Sequence, residues 1–334
     1  LIKVAVVILN WNGKRYLEKY LGLLIERTTV EGAQIIIADN ASTDGSQEWL
    51  KEHYPNITLI EFSENWGYTG GYNRALKQVE AEYFLLLNSD IEVTEGWLEP
   101  LVAAMDSNPK VGISMPKMKS LYEREMFEYA GACGGFIDYF GFPFCRGRVI
   151  SHLEKDEGQY DTDIEIFWAS GAAFMIRASL FRELGGFDDS FFAHMEEIDL
   201  CWRAKLNGSE VWIFPKSEVY HVGGGTLPND SPRKLYFNYR NNLLMLYKNL
   251  PRKRLAIIMT IRMLMDGASA LLYLLQGKRG FYRSVVKAHK DFRKTKKEIK
   301  RDEAICNRKI TSIYRGSILL RFFLIEKKAP PVKF

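Results

Sequence analysis

Four times between Val4 and Asp90 a short apolar run ends in a polar cluster, and three of these clusters lead into apolar residues at helical spacing. Few folds accommodate that alternation. The runs are Val4–Leu9, closed by Asn10–Gly13; Gln34–Ala38, closed by Asp39–Gly45; Ile57–Phe62, which leads into a glycine-rich turn; and Tyr83–Leu87, which ends in Asn88-Ser89-Asp90. The first and last are apolar at every position rather than at alternate ones, as expected of strands buried on both faces. Helices are predicted over Tyr16–Glu26, Ser46–His53 and Tyr72–Glu80. Strand and helix alternating in this way predict an α/β domain built on a parallel sheet. Ligands in such sheets sit beyond the carboxyl ends of the strands. That is where Asn10–Asn12, Asp39–Asp44, Asn65–Asn73 and Asn88–Asp90 fall.

The next stretch, from Lys117 to Glu165, is irregular, aromatic and glycine-rich, and reads as long loops or a short hairpin over the sheet. Regular structure resumes at Phe167–Arg177. A turn at Gly185–Asp189, a helix over Glu196–Asn207 and strands at Val211–Phe214 and Glu218–Tyr220 follow, and beyond Pro232 the pattern becomes one of long helices. Domain boundaries are therefore expected at 1–231 and 232–334. The formal net charge of +5 is unevenly spread: residues 278–301 hold eleven Lys or Arg against Asp291 and Glu298, so the remainder is net acidic. This argues for an anionic surface near the C-terminus and against a nucleic-acid-binding core. Cys133, Cys145, Cys201 and Cys306 are widely spaced with no C-x-x-C pair, as expected of reduced thiols rather than a disulfide framework or zinc site. The N-terminus enters directly into a strand-like run, so no signal peptide is expected.

Five clusters carry candidate chemistry. Asn88-Ser89-Asp90 sits at the end of a buried strand, where one or two carboxylates suffice to hold a divalent cation that bridges two phosphates; the alternative is a plain strand-end turn. Asp39 lies just beyond a strand and can accept hydrogen bonds from a uracil or thymine imide or from ribose, while Ser42 and Asp44 suit helix capping. In NWGYTGGYN (65–73), Gly67, Gly70 and Gly71 permit close backbone approach, with Tyr72 opening a helix whose N–H groups face anions. No Gly-Lys-Ser/Thr follows, so this is not a Walker loop. Glu196, Glu197 and Asp199 cluster at a helix start, either as a general base for a hydroxyl or simply as dipole-favoured acids. His221 precedes three glycines and is placed to complete a coordination shell begun by Asp90, the alternative being a structural histidine.

Taken in order, VVILNWNG (6–13), IIIADNASTDGS (35–46), NWGYTGGYN (65–73), LLLNSD (85–90), FWASGAAFMIR (167–177), GGFDDSFFAHMEEIDLCWR (185–203) and VYHVGGGT (219–226) resemble the family 2 glycosyltransferases of the GT-A fold, in particular the bacterial rhamnosyltransferase-like branch. The resemblance implies a Rossmann-like, mostly parallel sheet with a helical C-terminal extension, residues 1–116 forming a nucleotide-binding half and 117–231 an acceptor half. It implies inverting transfer from a nucleoside-diphosphate sugar to a saccharide or lipid-linked saccharide, with Mg²⁺ or Mn²⁺. Asn10, Asp39, Asn65, Gly70, Asn73, Asn88, Ser89 and Asp90 then fall in the donor site, Asp90 and His221 on the metal, and Trp168 and Asp199 in the acceptor site. The family's catalytic pair usually reads Glu-Asp. Here it reads Glu196-Glu197, which puts Glu197 in the base position and leaves Glu196 as the alternative. Asp138, Tyr139 and Arg146–Arg148 are further candidates for contact with sugar. Two rival readings are a sugar-1-phosphate nucleotidyltransferase and an inactive carbohydrate-binding member of the same fold. The first wants a basic glycine-rich loop after the first strand, and Asn10-Trp11-Asn12-Gly13 is a poor match.

In the tail, Leu255–Leu275 is apolar except for Arg262 and Asp266, four residues apart and able to pair on one face. A charge at the centre of a spanning helix costs about 2.5–3.5 kcal/mol, so an interfacial helix followed by the basic run is expected, with a helical subdomain packed on the enzyme or on a second copy as the alternative. The expected location is the cytoplasmic side of the plasma membrane, peripherally bound.

Overall fold

A computed structural model describes residues 2–223, 231–299 and 301–330. Strands β1 (Ile2–Asn10), β2 (Ala33–Asp39), β3 (Thr58–Glu61) and β4 (Ala81–Leu87) lie parallel in the spatial order β3-β2-β1-β4. Val4–Val7 and Phe84–Leu87 are at most 1 % exposed, so the continuous apolar runs are indeed covered on both faces. The connecting helices are α1 (Lys14–Arg27), α2 (Ser46–His53) and α3 (Gly67–Leu76). Register places Asn10 opposite Asp39, so the polar ends of β1 and β2 meet.

Beyond β4 the sheet turns antiparallel at Ala173–Arg177 and continues through β6 (Val111–Ser120) and Glu210–His221 to an edge at Ile164–Glu165. The short β5 (Ile91–Val93) follows the Asn88–Asp90 turn and pairs antiparallel with the end of Glu210–His221, setting Ile91 opposite His221. Helix α4 (Glu99–Ser107) and β6 carry no distinctive motif and were not anticipated.

Three expectations need correction. Helix α3 begins at Gly67 rather than Tyr72, so Gly70 and Gly71 lie within it. The segment 117–165 is more ordered than loops: its first residues complete β6, and Gly135–Asp138, Pro143–Cys145, Arg148–Val149 and His152–Leu153 form a small sheet joined at its edge by Ile313–Tyr314. Finally, the boundary at residue 231 is not a break in packing. The helix Pro232–Asn249, capped by Ser231, buries Leu243, Leu244, Met245 and Leu246 completely, in the same core as the main sheet. The predicted long helices do follow, at Arg252–Leu275 and Arg279–Thr295. All four cysteines are free and buried.

Candidate active site

The ends of β1 and β2 are tied by their own polar residues. Asp39 is fully buried; its Oδ2 accepts from Asn10 Nδ2 at 2.8 Å and its Oδ1 from Ser42 N at 2.9 Å and Gln47 Nε2 at 2.6 Å. The expected base contact is thus not presented in this structure: Asp39 and Asn10 brace the two loops against each other. Asn12 adds to the brace, accepting from Thr43 N at 2.7 Å. Asp44 accepts from Lys14 N at 2.9 Å and Ser46 N at 3.1 Å, so one carboxylate caps both α1 and α2.

The glycine-rich stretch also differs from expectation. The first N–H groups of α3 are taken: Tyr68 N and Thr69 N donate to Phe192 O at 3.0 and 3.3 Å. Asn65 Oδ1 accepts from Gly67 N and from Asn40 Nδ2, which closes the entry turn. A β-carbon at Gly71 would lie 2.7 Å from Leu9 Cδ1, so this glycine serves the packing of α3 on β1, while one at Gly70 would lie 3.1 Å from Trp66 Cβ at the start of the same helix. Asn73 is likewise structural, donating to Phe187 O at 2.8 Å and accepting from Phe187 N at 2.9 Å, which fixes the GGFDD turn.

At the end of β4 the picture is different. Asn88 and Ser89 are half-buried and Asp90 is 7 % exposed. Because β5 pairs with the strand end at His221, Asp90 Oδ1 stands 3.2 Å from His221 Nε2. On the far side of the ring, Glu128 Oε1 stands 3.3 Å from Nδ1. Burial opposes a charge on His221, but Glu128 and Asp90 more than offset it and hold the imidazole up at about 10. The pocket therefore favours positive charge, on the ring or on a cation beside it. One carboxylate, one imidazole and an outer carboxylate behind the ring form a set that suits a divalent cation. No group of three or more His, Cys, Asp or Glu that could hold a metal ion occurs among the described residues. The glycines that follow, Gly224 onward, lie outside the described residues.

The acidic helix Glu196–Leu206 lies next to this turn. Asn88 N donates to Ala172 O at 2.8 Å, and Gly171 is the neighbour over which Glu197 sits, a β-carbon on Gly171 falling 3.6 Å from Glu197 Cβ. Tyr68 OH donates to Gly171 O at 2.5 Å. Burial pushes both Glu196 and Glu197 up, and for Glu196 the adjacent Glu197 charge adds to the effect. Each keeps one buried carboxyl oxygen without a partner among the described residues. Burial likewise raises the Tyr68 phenol well above its usual range, helped by Tyr72, Glu196 and Glu197. A partly desolvated carboxyl with a free oxygen at a strand-end cleft is suited to taking a proton.

The approach to that helix is strained. Phe192, His194 and Met195 have φ of 63°, 68° and 72° and are three of eight non-glycine residues with positive φ in the described chain. Such conformations persist only when the surroundings fix them. The fixing residue is Asn241, fully buried on Pro232–Asn249, which donates to Phe191 O, Ala193 O and His194 O at 3.0, 2.8 and 2.7 Å. Sequence reading missed Asn241, as it missed Glu128 and Tyr68, since neither a lone asparagine on a long helix nor a glutamate in an irregular segment carries a signal.

Two acceptor-site expectations are overturned. Trp168 is 3 % exposed, donates to Phe136 O at 2.9 Å and lies flat on Gly135, so it is core rather than a stacking platform. Asp199 is fully buried and accepts from Arg203 Nε, Lys248 Nζ and Asn249 Nδ2, anchoring the C-terminal helix instead of facing a substrate. Asp138 is also structural, accepting from Phe140 N, Phe142 N and Ile318 N.

The family described as glycosyl transferase family 2 matches residues 5–185, more than half of the chain. The chain belongs to the family 2 glycosyltransferases. A curated relative, the N-acetylglucosaminyl-diphospho-decaprenol L-rhamnosyltransferase of Mycobacterium tuberculosis, is 25 % identical over 258 residues, covering 73 % of this chain and 83 % of the relative. GalNAc-T7 solved with UDP, GalNAc and Mn²⁺ superposes with a TM-score of 0.59 at 18 % identity, over 76 % of this chain and 49 % of that one. S. aureus TarS 1-349 in complex with UDP-GlcNAc gives 0.56 at 16 % identity, over 86 % and 81 %. The fold of this glycosyltransferase is therefore GT-A, as the seven motifs implied.

Proposed function

We propose that this glycosyltransferase moves a sugar, with inversion, from a nucleoside-diphosphate donor to a hydroxyl of a lipid-linked saccharide. The observation that carries the reading is the contact of Asp90 with His221 across more than a hundred residues of sequence, with Glu197 beside Gly171, the residue before the Ala172 whose carbonyl accepts from Asn88 N. Asp90 and His221 would hold Mg²⁺ or Mn²⁺, which supplies charge neutralisation for the departing diphosphate. Glu128 stands behind the imidazole, its carboxylate 3.3 Å from Nδ1. Asn88 and Ser89, half-buried on the same turn, would hydrogen-bond the donor. Glu197 takes the proton of the acceptor hydroxyl as its oxygen bonds to the anomeric carbon, while the bond from that carbon to the diphosphate oxygen breaks and the nucleoside diphosphate leaves with the electron pair. Burial raises the Glu197 carboxyl above its ordinary range, which suits it to taking a proton.

The lipid-linked acceptor is supported by the mycobacterial relative, which is named for an N-acetylglucosaminyl-diphospho-decaprenol acceptor and an L-rhamnosyl group. The nucleotide-sugar donor is supported by the UDP and UDP-GlcNAc of the two solved structures. Release of nucleoside diphosphate from a panel of donors, with divalent cation and a lipid-diphosphate saccharide supplied, tests the proposal. Asp90→Ala should abolish turnover; near-normal transfer by a folded Asp90→Ala would overturn it.

A further inference from the structure

The helix Arg252–Leu275 is inverted relative to an ordinary surface helix. Its buried positions are Ile258, Arg262, Asp266 and Ala270, at four-residue spacing, so the face against the protein carries the two central charges. These charges are paired there. Arg262 Nη2 lies 3.4 Å from Asp266 Oδ1, Asp266 Oδ2 lies 3.0 Å from His289 Nε2, and the guanidinium covers the Phe142 ring at 3.9 Å. The outward stripe is the apolar one: Ile257, Leu264, Leu271 and Leu275 recur at seven- and four-residue spacing and are 55–76 % exposed. A sequence that hides its ions and displays its leucines is selected for an apolar neighbour on that side.

The next helix, Arg279–Thr295, supplies the charge. Val285, Ala288 and Phe292 pack inward, while Arg279, Arg283, Lys287, Lys290 and Lys294 are exposed along the opposite side. Arg283, Lys287, Lys290 and Lys294 line an open groove of about 400 Å³ with Tyr282, Val286 and one acid, Asp291, whose carboxylate accepts from Tyr236 OH, so four cations face one carboxylate there.

We propose that the leucine stripe of Arg252–Leu275 and the cationic face of Arg279–Thr295 together dock this enzyme on an anionic lipid surface, without spanning it. The leucines enter the boundary between headgroups and acyl chains, and the Lys and Arg side chains lie among anionic headgroups. Arg252–Leu275 is long and apolar enough to cross a bilayer by length and composition alone. Crossing, however, would carry Arg262 and Asp266 out of their paired, buried positions and into hydrocarbon. A second copy of the chain is the poorer occupant, since a self-complementary contact would bring two strongly cationic helices together.

Flotation of the intact chain with vesicles tests this independently of catalysis. Binding to phosphatidylcholine vesicles containing phosphatidylglycerol is expected, with little binding to phosphatidylcholine alone, and added salt should weaken it. Each cation near an anionic surface strengthens partitioning about fivefold, so Arg283→Glu with Lys290→Glu should weaken binding by more than tenfold. Leu264→Ser with Leu271→Ser should also weaken it, both variants keeping the parental melting temperature. Should the charge variant fail to fold, the salt titration of the parent reads the same contribution. The proposal is overturned if the parent does not float with anionic vesicles, if its binding is insensitive to salt, or if the leucine variant floats unchanged while light scattering shows a dimer becoming a monomer. That last result would assign the face to a second copy.

Discussion

Asp199 offers the sharpest test of how the acidic helix Glu196–Leu206 is held, because its environment allows the cost of removing its charge to be worked out. The carboxylate is fully buried and accepts from Arg203 Nε at 2.8 Å, Lys248 Nζ at 3.0 Å and Asn249 Nδ2 at 2.9 Å. Asp199→Asn keeps the shape and deletes the charge. Breaking a buried ion pair outright costs roughly 3–5 kcal/mol, but both cations here retain partners. Lys248 keeps Asp188 at 2.6 Å, and Arg203 keeps the carbonyls of Leu184 and Gly186 at 2.8 and 2.9 Å. Proton linkage gives a second figure. Burial disfavours ionisation of Asp199, yet Lys248 and Arg203 outweigh it and hold the carboxyl at about 2, against an ordinary 3.8. A shift of that size corresponds to roughly 2 kcal/mol. We therefore expect a loss of roughly 2–3 kcal/mol, seen as a fall in Tm of roughly 3–4 °C. Since the folded pKa lies below the unfolded one, the stabilisation is complete above 3.8 and disappears as pH falls toward about 2, so the gap between parent and variant should close over that window. Thermal melts across pH, with the acceptor KM of each protein, make the measurement. A variant that melts with the parent at neutral pH but shows a much higher acceptor KM would refute the structural role and return Asp199 to the acceptor site.

Glu197→Gln should lower kcat by roughly 10²–10⁴-fold with donor KM little changed, and Glu196→Gln should do less; equal losses would remove the distinction between them. Because burial raises the Glu197 carboxyl, kcat should climb with pH as that group loses its proton, and the Gln variant should lack this limb in a pH–rate profile. Gly71→Ala would set a methyl 2.7 Å from Leu9 Cδ1 and 3.2 Å from Asn40 Nδ2, so it should cost roughly 1–3 kcal/mol in urea unfolding; an unchanged midpoint would show that α3 can shift freely.

Much of the fold was legible because local rules suffice for it. Continuous apolar runs such as Val4–Leu9 and Tyr83–Leu87 have no stable place except a sheet covered on both faces, and the polar residues that end them must then gather at one edge. Asp90, Glu197 and His221 could be singled out by residue type and position in motifs, and the structure does bring Asp90 to His221 and Glu197 to the neighbouring Gly171. What the motifs could not say is which polar side chains remain available to a ligand. Asp39, Asn73 and Asp199 carry the same groups as Asn88 and Asp90, but their hydrogen bonds are spent on neighbouring loops and helices.

From sequence alone the chain determines a mostly parallel α/β sheet, the edge where its polar residues collect and the acids and histidine that can do chemistry there, because periodicity and turn preference act over a few residues. Tertiary structure alone decided that Trp168 is core, that Glu128 stands behind His221, that Asn241 holds the strained entry to the acidic helix and that Arg262 and Asp266 face inward. Those outcomes depend on partners up to about 180 residues apart, as Asp138 and Ile318 are. Burial and hydrogen-bond satisfaction are properties of the assembled neighbourhood, which no short window of sequence contains.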